Sequence, residues 1–366
     1  MKAMILVAGV LAVACFAGCG GGSTSTTIGG GLSVTPLAYV VGPTANNVFA
    51  FQQTSAGGLK ALSTATFATG SSPSAFAANT LKTFAYVTDA GSNDVRIFTM
   101  DPTTGLLTST LSPVPTGTNP VAAILAGNVL MVLNKGSASI STYLVDGTSG
   151  GLTPVAGSPF ATPANPVAMV LTTKQNFVYV LAPGVGHASV TGYAFSSSGV
   201  LTPFPGLPFT AGTAAGGMAI DLVGGRFLYV TDPASNNVLG FSVQSATGIL
   251  TPLPGSPFTT GTNPAGVAID SSSAVLFVAN QGSNNISAFT IGSSSGTLTP
   301  VFGTPPATGT GPAFITVDAT NEFLYVANPG SSNISAFTVS VGGALTPVAG
   351  SPFSVGTTPV WITTTH

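Results

Sequence analysis

Charge is the scarcest commodity in this chain. Of 366 residues only 4% are charged, where an ordinary globular domain carries about 25%. Seven Lys and Arg face nine Asp and Glu, for a formal net charge of -2. No basic run occurs, so nucleic acid is not an expected partner, because phosphate binding rests on clustered cations. A polybasic membrane-surface patch is excluded for the same reason. Cysteine is nearly absent: Cys15 and Cys19 are the only two. Both lie at the N-terminus, which leaves the rest of the chain no disulfide, redox pair or Cys-based metal site. Histidine is reduced to His187 and the terminal His366. One His cannot make a zinc site, and the scattered acids lack a calcium-loop spacing, so neither metal nor cofactor is expected. Helical periodicity is missing as well. What remains is 44% hydrophobic residues, 47 Gly and 28 Pro, with Ser, Thr and Asn supplying the polarity. That mixture suits a sheet protein with many tight turns.

The N-terminus reads as an address. Met1-Lys2 gives a short positive start, and Ala3 to Ala14 an apolar stretch below the roughly 20 residues needed to span a bilayer. This is the pattern of a secretory signal peptide. Its end, Phe16-Ala17-Gly18-Cys19, resembles the bacterial lipobox, with Phe16 where Leu is usual. The resemblance implies cleavage before Cys19 and lipidation of its thiol. The expected organisation is a signal peptide over 1–18, a lipidated Cys and Gly/Ser/Thr linker over 19–36, and one domain over 37–366. The linker spans on the order of 20 Å. Gly20 is not an acidic retention residue, which fits an outer-membrane destination. The expected location is the cell envelope, outside the cytoplasm, on the periplasmic or surface side.

Repetition organises the domain. An aromatic residue recurs at Phe51, Phe98, Tyr143, Tyr193, Phe241, Phe289 and Phe337. A second series runs just upstream, at Tyr39, Tyr86, Met131, Tyr179, Tyr229, Phe277 and Tyr325. A third follows a glycine-bearing turn, at Leu59, Leu107, Leu152, Leu201, Leu250, Leu298 and Leu345. A fourth opens on a turn, often Asn-Pro, as at Pro120, Pro166, Pro264, Pro312 and Pro359. Four strands in about 48 residues make a propeller blade. The strands are nearly continuous apolar runs, as expected where both sheet faces are buried. The fold expected is all-β: a seven-bladed β-propeller with four-stranded blades. The first unit lacks its leading strand, and Thr358 to Thr365 is such a strand with nothing after it. The C-terminal strand should therefore close the first blade and remove an exposed edge.

The strands Tyr86-Val87-Thr88-Asp89, Tyr229-Val230-Thr231-Asp232, Phe277-Val278-Ala279-Asn280 and Tyr325-Val326-Ala327-Asn328 resemble bacterial surface propellers named for a Tyr-Val-Thr-Asn repeat. With the Gly-x-Leu-Thr-Pro turns they are similar to the lactonase-type seven-bladed propellers, which include 6-phosphogluconolactonases. The resemblance covers essentially residues 37–366. It rests on the structural repeat and supplies no catalytic residue.

Alternating strand direction brings the starts of leading strands and the ends of second strands to one face. Asn119, Asn165 and Asn263 fall there from the Asn-Pro turns, and Asp89, Asn134, Asp232, Asn280 and Asn328 from the strand ends. Lys135 and His187 lie in adjoining loops. Such a ring could hold a polar ligand at the channel mouth; equally, these residue types cap turns. His187 is either an exposed loop residue or a general base. The cations past the signal are Lys60, Lys82, Arg96, Lys135, Lys174 and Arg226. Arg226 belongs to the opposite face and Arg96 lies inside a third strand, leaving Lys135 near the mouth. A phosphorylated lactone calls for several convergent cations. The reading favoured by these features is a non-catalytic envelope lipoprotein, monomeric in its folded domain, binding a glycan or an envelope protein. The alternative is a lactonase-family hydrolase opening a sugar lactone, with His187 or Asp89 as base and Lys135 polarising the carbonyl.

Overall fold

The computed structural model describes residues 36–365 apart from 102–103, 110, 173–175, 206–207, 273 and 304. The export signal, Cys19 and most of the linker lie outside the described residues, as do Lys174 and His366. Seven antiparallel sheets form a ring. Blade 1 runs from the centre outward as Trp361–Thr365, Leu37–Gly42, Asn47–Gln53 and Leu59–Ala68. The other six blades begin at the inner strands Pro73–Ala78, Pro120–Ala126, Ala168–Leu171, Met218–Ile220, Pro264–Ile269 and Phe314–Val317. Each inner strand lies against the next, and Trp361–Thr365 bridges Phe314–Val317 to Pro73–Ala78.

The closing strand pairs as expected, with Val41 opposite Trp361 and Leu37 opposite Thr365. Trp361 is fully buried, its ring 4.4 Å from that of Phe314 in blade 7. The last segment is thus held by a ladder to the first and by an aromatic contact to blade 7.

The second strands are buried along their whole length in all seven blades, apart from the final Pro183 of blade 4. This explains their unbroken apolarity. The recurring tyrosine serves as an interblade latch. Tyr39, Tyr86, Tyr179, Tyr229 and Tyr325 donate to the carbonyls of Gly105, Gly150, Gly248, Gly296 and Gly57 in the following blade. Those glycines sit at positive φ in the turn between third and fourth strands. A Cβ on Gly150 would come within 2.5 Å of the Phe84 ring, so the close approach of blades 2 and 3 needs glycine there. Blades 3 and 6 carry Met131 and Phe277 at the tyrosine position and have no such donor.

One difference from the four-strand expectation is a fifth short segment. The three-residue outer strands cover only half of each third strand: Leu152–Pro154 pairs with Tyr143, Leu144 and Val145. After a Gly-Ser-Pro turn, Phe160–Ala161 covers the other half, opposite Ser139 and Ile140. The same arrangement recurs at Val114–Pro115, Phe209–Thr210, Phe258–Thr259 and Phe353–Ser354. Two short pieces together satisfy one long edge.

Candidate functional site

The registers place Pro73 opposite Asp89, Pro120 opposite Asn134 and Pro264 opposite Asn280. The starts of inner strands and the ends of second strands therefore share one face. Here the Asn-Pro turns do structural work. Asn119, Asn165 and Asn263 are exposed, with φ of 53°, 52° and 51°, the left-handed conformation that asparagine tolerates. Two of them are themselves tied to the preceding blade: the Asn93 side chain accepts from the Asn119 N–H at 2.7 Å, and that of Asn236 from the Asn263 N–H at 2.8 Å.

The amides at the second-strand ends are internal. Asn134, Asn280 and Asn328 are fully buried. Asn134 Nδ2 donates to Ser139 and Ser141 at 3.2 and 2.9 Å. Asn280 Nδ2 donates to Asn285 and Ser287 at 2.8 and 2.9 Å, and Asn328 Nδ2 to Asn333 and Ser335, each at 2.9 Å. Ser287 and Ser335 in turn accept from the Gly261 and Gly309 N–H groups of the leading loops. These side chains clamp each loop to its blade. Asp232 does similar work, accepting from the Thr213 and Ala214 backbones at 2.8 and 3.0 Å and from the Thr213 hydroxyl at 2.9 Å. Burial works to raise its pKa, but the bonds from Thr213, Ser235 and Ala214 outweigh this and hold it below the usual value.

The remaining acids can be sorted by the same question. Asp221 accepts four backbone N–H groups, Gly224 to Phe227, at 2.7 to 3.1 Å. Asp270 accepts from Ala274 and Val275, and Asp318 from Glu322 and Phe323. All three close the turn between first and second strands, on the opposite face. Asp101 and Asp146 cap outer turns. The Thr148 hydroxyl and the Ser149 N–H hold Asp146 well below the usual carboxylate range.

Asp89 is different. It is fully buried, and neither of its oxygens has a well-formed hydrogen bond. Its cation is Arg96, whose Nε lies 3.9 Å from Oδ2 and whose side chain is 26% exposed. Arg96 pairs across the sheet with Val87, as Ser287 does with Val278 and Ser335 with Val326. Asp89 and Arg96 thus replace the Asn-Ser clamp of blades 3, 6 and 7. Burial pushes the Asp89 pKa up to about 7. The Gly70 N–H opposes that rise, the nearby Asp94 adds to it, and Arg96 opposes it more weakly. Gly70 permits the loop to lie over the acid, since a Cβ there would meet Oδ2 at 2.7 Å.

Lys135 is half-buried in the blade 3 hairpin, its N–H on the Asn119 carbonyl at 2.9 Å. His187 is exposed in the blade 4 turn, where its carbonyl accepts from Gly184 at 2.8 Å. Neither forms a hydrogen bond or ion pair with Asp89 or Arg96. Arg96 is the residue that reading the sequence passed over, as a strand-interior cation. Its signal was available: aligned repeats show an acid and a cation seven apart where three other blades have Asn and Ser.

Comparison with known proteins gives the arrangement a family. The profile described as "Lactonase, 7-bladed beta-propeller" matches residues 126–308, half of the chain. No curated protein sequence matches it. Among solved structures, a candidate 6-phosphogluconolactonase from Bacteroides uniformis is 18% identical, with a TM-score of 0.76, covering 91% of this chain and 100% of that one. A second from Bacteroides fragilis is 18% identical, with a TM-score of 0.73, covering 94% and 100%. The periplasmic gluconolactonase of Pseudomonas aeruginosa is 18% identical, with a TM-score of 0.76, covering 90% and 99%. At such identity the structural likeness is one of fold. The profile match overturns the expectation of a non-catalytic binding scaffold. Part of the physical ground for that expectation also falls, because the strand-end amides of Asn134, Asn280 and Asn328 are buried and donate within their own blades.

Proposed function

Because the chain belongs to the lactonase family of seven-bladed β-propellers, we propose that it is a lactone hydrolase acting on an unphosphorylated sugar lactone outside the cytoplasm. The observation that carries the site assignment is the Asp89–Arg96 pair. It is the one place in the described fold where a buried carboxylate lies beside a cation with no backbone cradle. Asp89, with its pKa near 7, is poised as a general base at neutral pH. It takes a proton from water as the oxygen adds to the lactone carbonyl carbon. Arg96, the partly exposed member, faces the oxyanion that develops. Collapse breaks the ring C–O bond, and the departing alkoxide takes the proton back, giving a hydroxy acid. Movement of the loop bearing Gly70 admits the substrate to Asp89.

The scarcity of cations supports a substrate without phosphate. The lipobox-like segment ending at Cys19 supports export and lipid tethering. A periplasmic gluconolactonase among the structural neighbours gives such an address a precedent. The test offers residues 20–366 simple and phosphorylated aldonolactones. Turnover of the simple lactone that rises through pH 7 and vanishes in Asp89→Asn is expected. Turnover that survives Asp89→Asn and Arg96→Met, and fails only in Lys135→Ala or His187→Ala, moves the site to blades 3 and 4.

A further inference from the structure

Blade 6 departs from its neighbours at two positions, Phe302 and Pro306. The fifth segment of a blade normally lays an aromatic side chain over the third strand. Phe160, Phe209, Phe258 and Phe353 stand opposite Ile140, Val190, Val238 and Ile334, and in blade 1 Phe67 stands opposite Val48. Each packs onto the hydrophobic core. In blade 6 the backbone course is kept: the Ile286 N–H donates to the Pro306 carbonyl at 3.2 Å, and Asn285 bridges Ala307. The ring, however, is missing, because Pro306 occupies the Phe position. A cleft of about 380 Å³ results, with Ile286, Ala288, Phe289, Val301, Pro306 and Leu345 among its walls.

The second departure lies four residues earlier. The turn position held by Ala156, Pro205, Pro254 and Ala349 in other blades is Phe302, 97% exposed at the rim of this cleft. It is the one large aromatic side chain so exposed among the described residues. Val341, also fully exposed, sits nearby, two residues before Gly343, whose Cβ position contacts Val301.

We propose that the blade 6 cleft receives Phe302 of a second copy of this chain, each copy inserting its ring into the other. A vacancy shaped for a phenylalanine and an outward phenylalanine lie on the same patch, which is the self-complementarity that a two-fold interface requires. The internal repeat supplies the identity of the occupant: five other blades fill the equivalent place with Phe. Charge permits the approach. No charged side chain lines the cleft, whereas the outer turns of blades 2 and 3, away from it in the ring, carry Asp101 and Asp146. Two inserted rings bury on the order of 150–250 Å² each, with a similar area from the walls. That lies below the size of a tight complex, so a dimer dissociating at roughly 1–100 µM is expected. The monomeric domain expected from sequence is the competing outcome.

The test is sedimentation velocity of residues 20–366, which carry the whole closed ring, between about 1 and 200 µM. The wild type should shift from monomer to dimer across that range. Phe302→Ser should stay monomeric with an unchanged melting temperature. Pro306→Phe should also stay monomeric although Phe302 is intact, which separates insertion from the general stickiness of an exposed ring. Should Pro306→Phe fail to fold, Ala288→Leu narrows the same cleft. Mixing Phe302→Ser with Pro306→Phe pairs an open cleft with a free ring and should restore a weaker heterodimer. A wild type that remains monomeric at 200 µM overturns the proposal, whether its cleft is empty, filled by its own Phe302 or taken by a small aromatic molecule. A Pro306→Phe variant that dimerises like the wild type overturns it too. Lactone turnover is a separate readout, since neither residue lies in blade 2.

Discussion

Blades 2 and 6 pair their second and third strands in one register and place different chemistry on it. Val87 faces Arg96 as Val278 faces Ser287, and Asp89 faces Asp94 as Asn280 faces Asn285. In blade 6 the buried amide and its serine are neutral, and the serine accepts the leading-loop N–H. In blade 2 the same volume holds a carboxylate and a guanidinium at 3.9 Å. A neutral clamp holds blades 3, 6 and 7 through its Asn Nδ2 donors, although each Asn Oδ1 is left without a hydrogen bond, so the charged version is not needed to build a blade. Burying a charged pair is costly and seldom gives net stability. The difference teaches where to look for function in a repeat protein: at the blade that keeps the geometry and abandons the inexpensive chemistry.

The comparison breaks most sharply if blade 2 is given the chemistry of blade 6. Asp89→Asn with Arg96→Ser restores the neutral clamp, so the melting temperature should hold or rise. Lactone turnover should fall by about 10²–10⁴, the usual worth of a general base. A double variant that folds and retains full turnover would show that the charged pair is structural.

Removing only the cation comes next. Arg96→Met leaves Asp89 buried with no counter-charge, which for fully buried pairs costs about 3–5 kcal/mol. Arg96 is partly exposed, so a loss of about 2 kcal/mol is expected at pH 8. At pH 5.5 Asp89 is protonated and the loss should shrink to a few tenths, which chemical denaturation at the two pH values would reveal. An equal loss at both would mean that Arg96 acts by packing alone.

Asp89→Asn by itself gives a smaller effect with a definite sign. Burial raises the folded-state pKa from the model-compound value of 3.8 to about 7, so between those values the folded state holds more proton than the unfolded chain. Stability from this group is therefore full below about pH 4 and declines as pH rises to 7. The Asn variant should remove that decline and be more stable than the wild type at pH 8, the difference vanishing toward pH 4. A wild type whose stability rises over the same range contradicts the assignment.

How much of this was legible in the sequence differs between fold and site. Seven repeats, the shared face and the closing strand followed from the spacing of Tyr39, Phe51 and Leu59 and their counterparts, because each anchor has one place in a blade. The fifth segments were not legible: Gly-Ser-Pro-Phe reads as a turn, and only the shortness of the Leu-Thr-Pro strands leaves an edge for Phe160 to cover. Asp89 was picked out, but in the company of Asn280, Asn328 and Asp232, since a strand-end polar residue looks alike whether it clamps a loop or lies beside a cation. Arg96 was set aside because a single strand shows no partner. Only the register, which brings residues seven apart to neighbouring places, distinguishes the pair.

The smallest expected effect tests the other way in which the two blades differ. Tyr86 of blade 2 reaches across to the Gly150 carbonyl at 3.0 Å, while blade 6 has Phe277 against blade 7. Gly343 in blade 7 has the positive φ shared by Gly150, and both glycines are buried. Tyr86→Phe removes a donor from a buried carbonyl and should cost about 1 kcal/mol. Phe277→Tyr brings a hydroxyl to the corresponding carbonyl and should recover a few tenths to about 1 kcal/mol if the latch geometry is the same. Urea unfolding of both single variants measures the pair of changes. Opposite signs would establish the latch as a transferable part of the blade. A destabilised Phe277→Tyr would mean instead that blades 6 and 7 pack closer than blades 2 and 3, leaving no room for the oxygen.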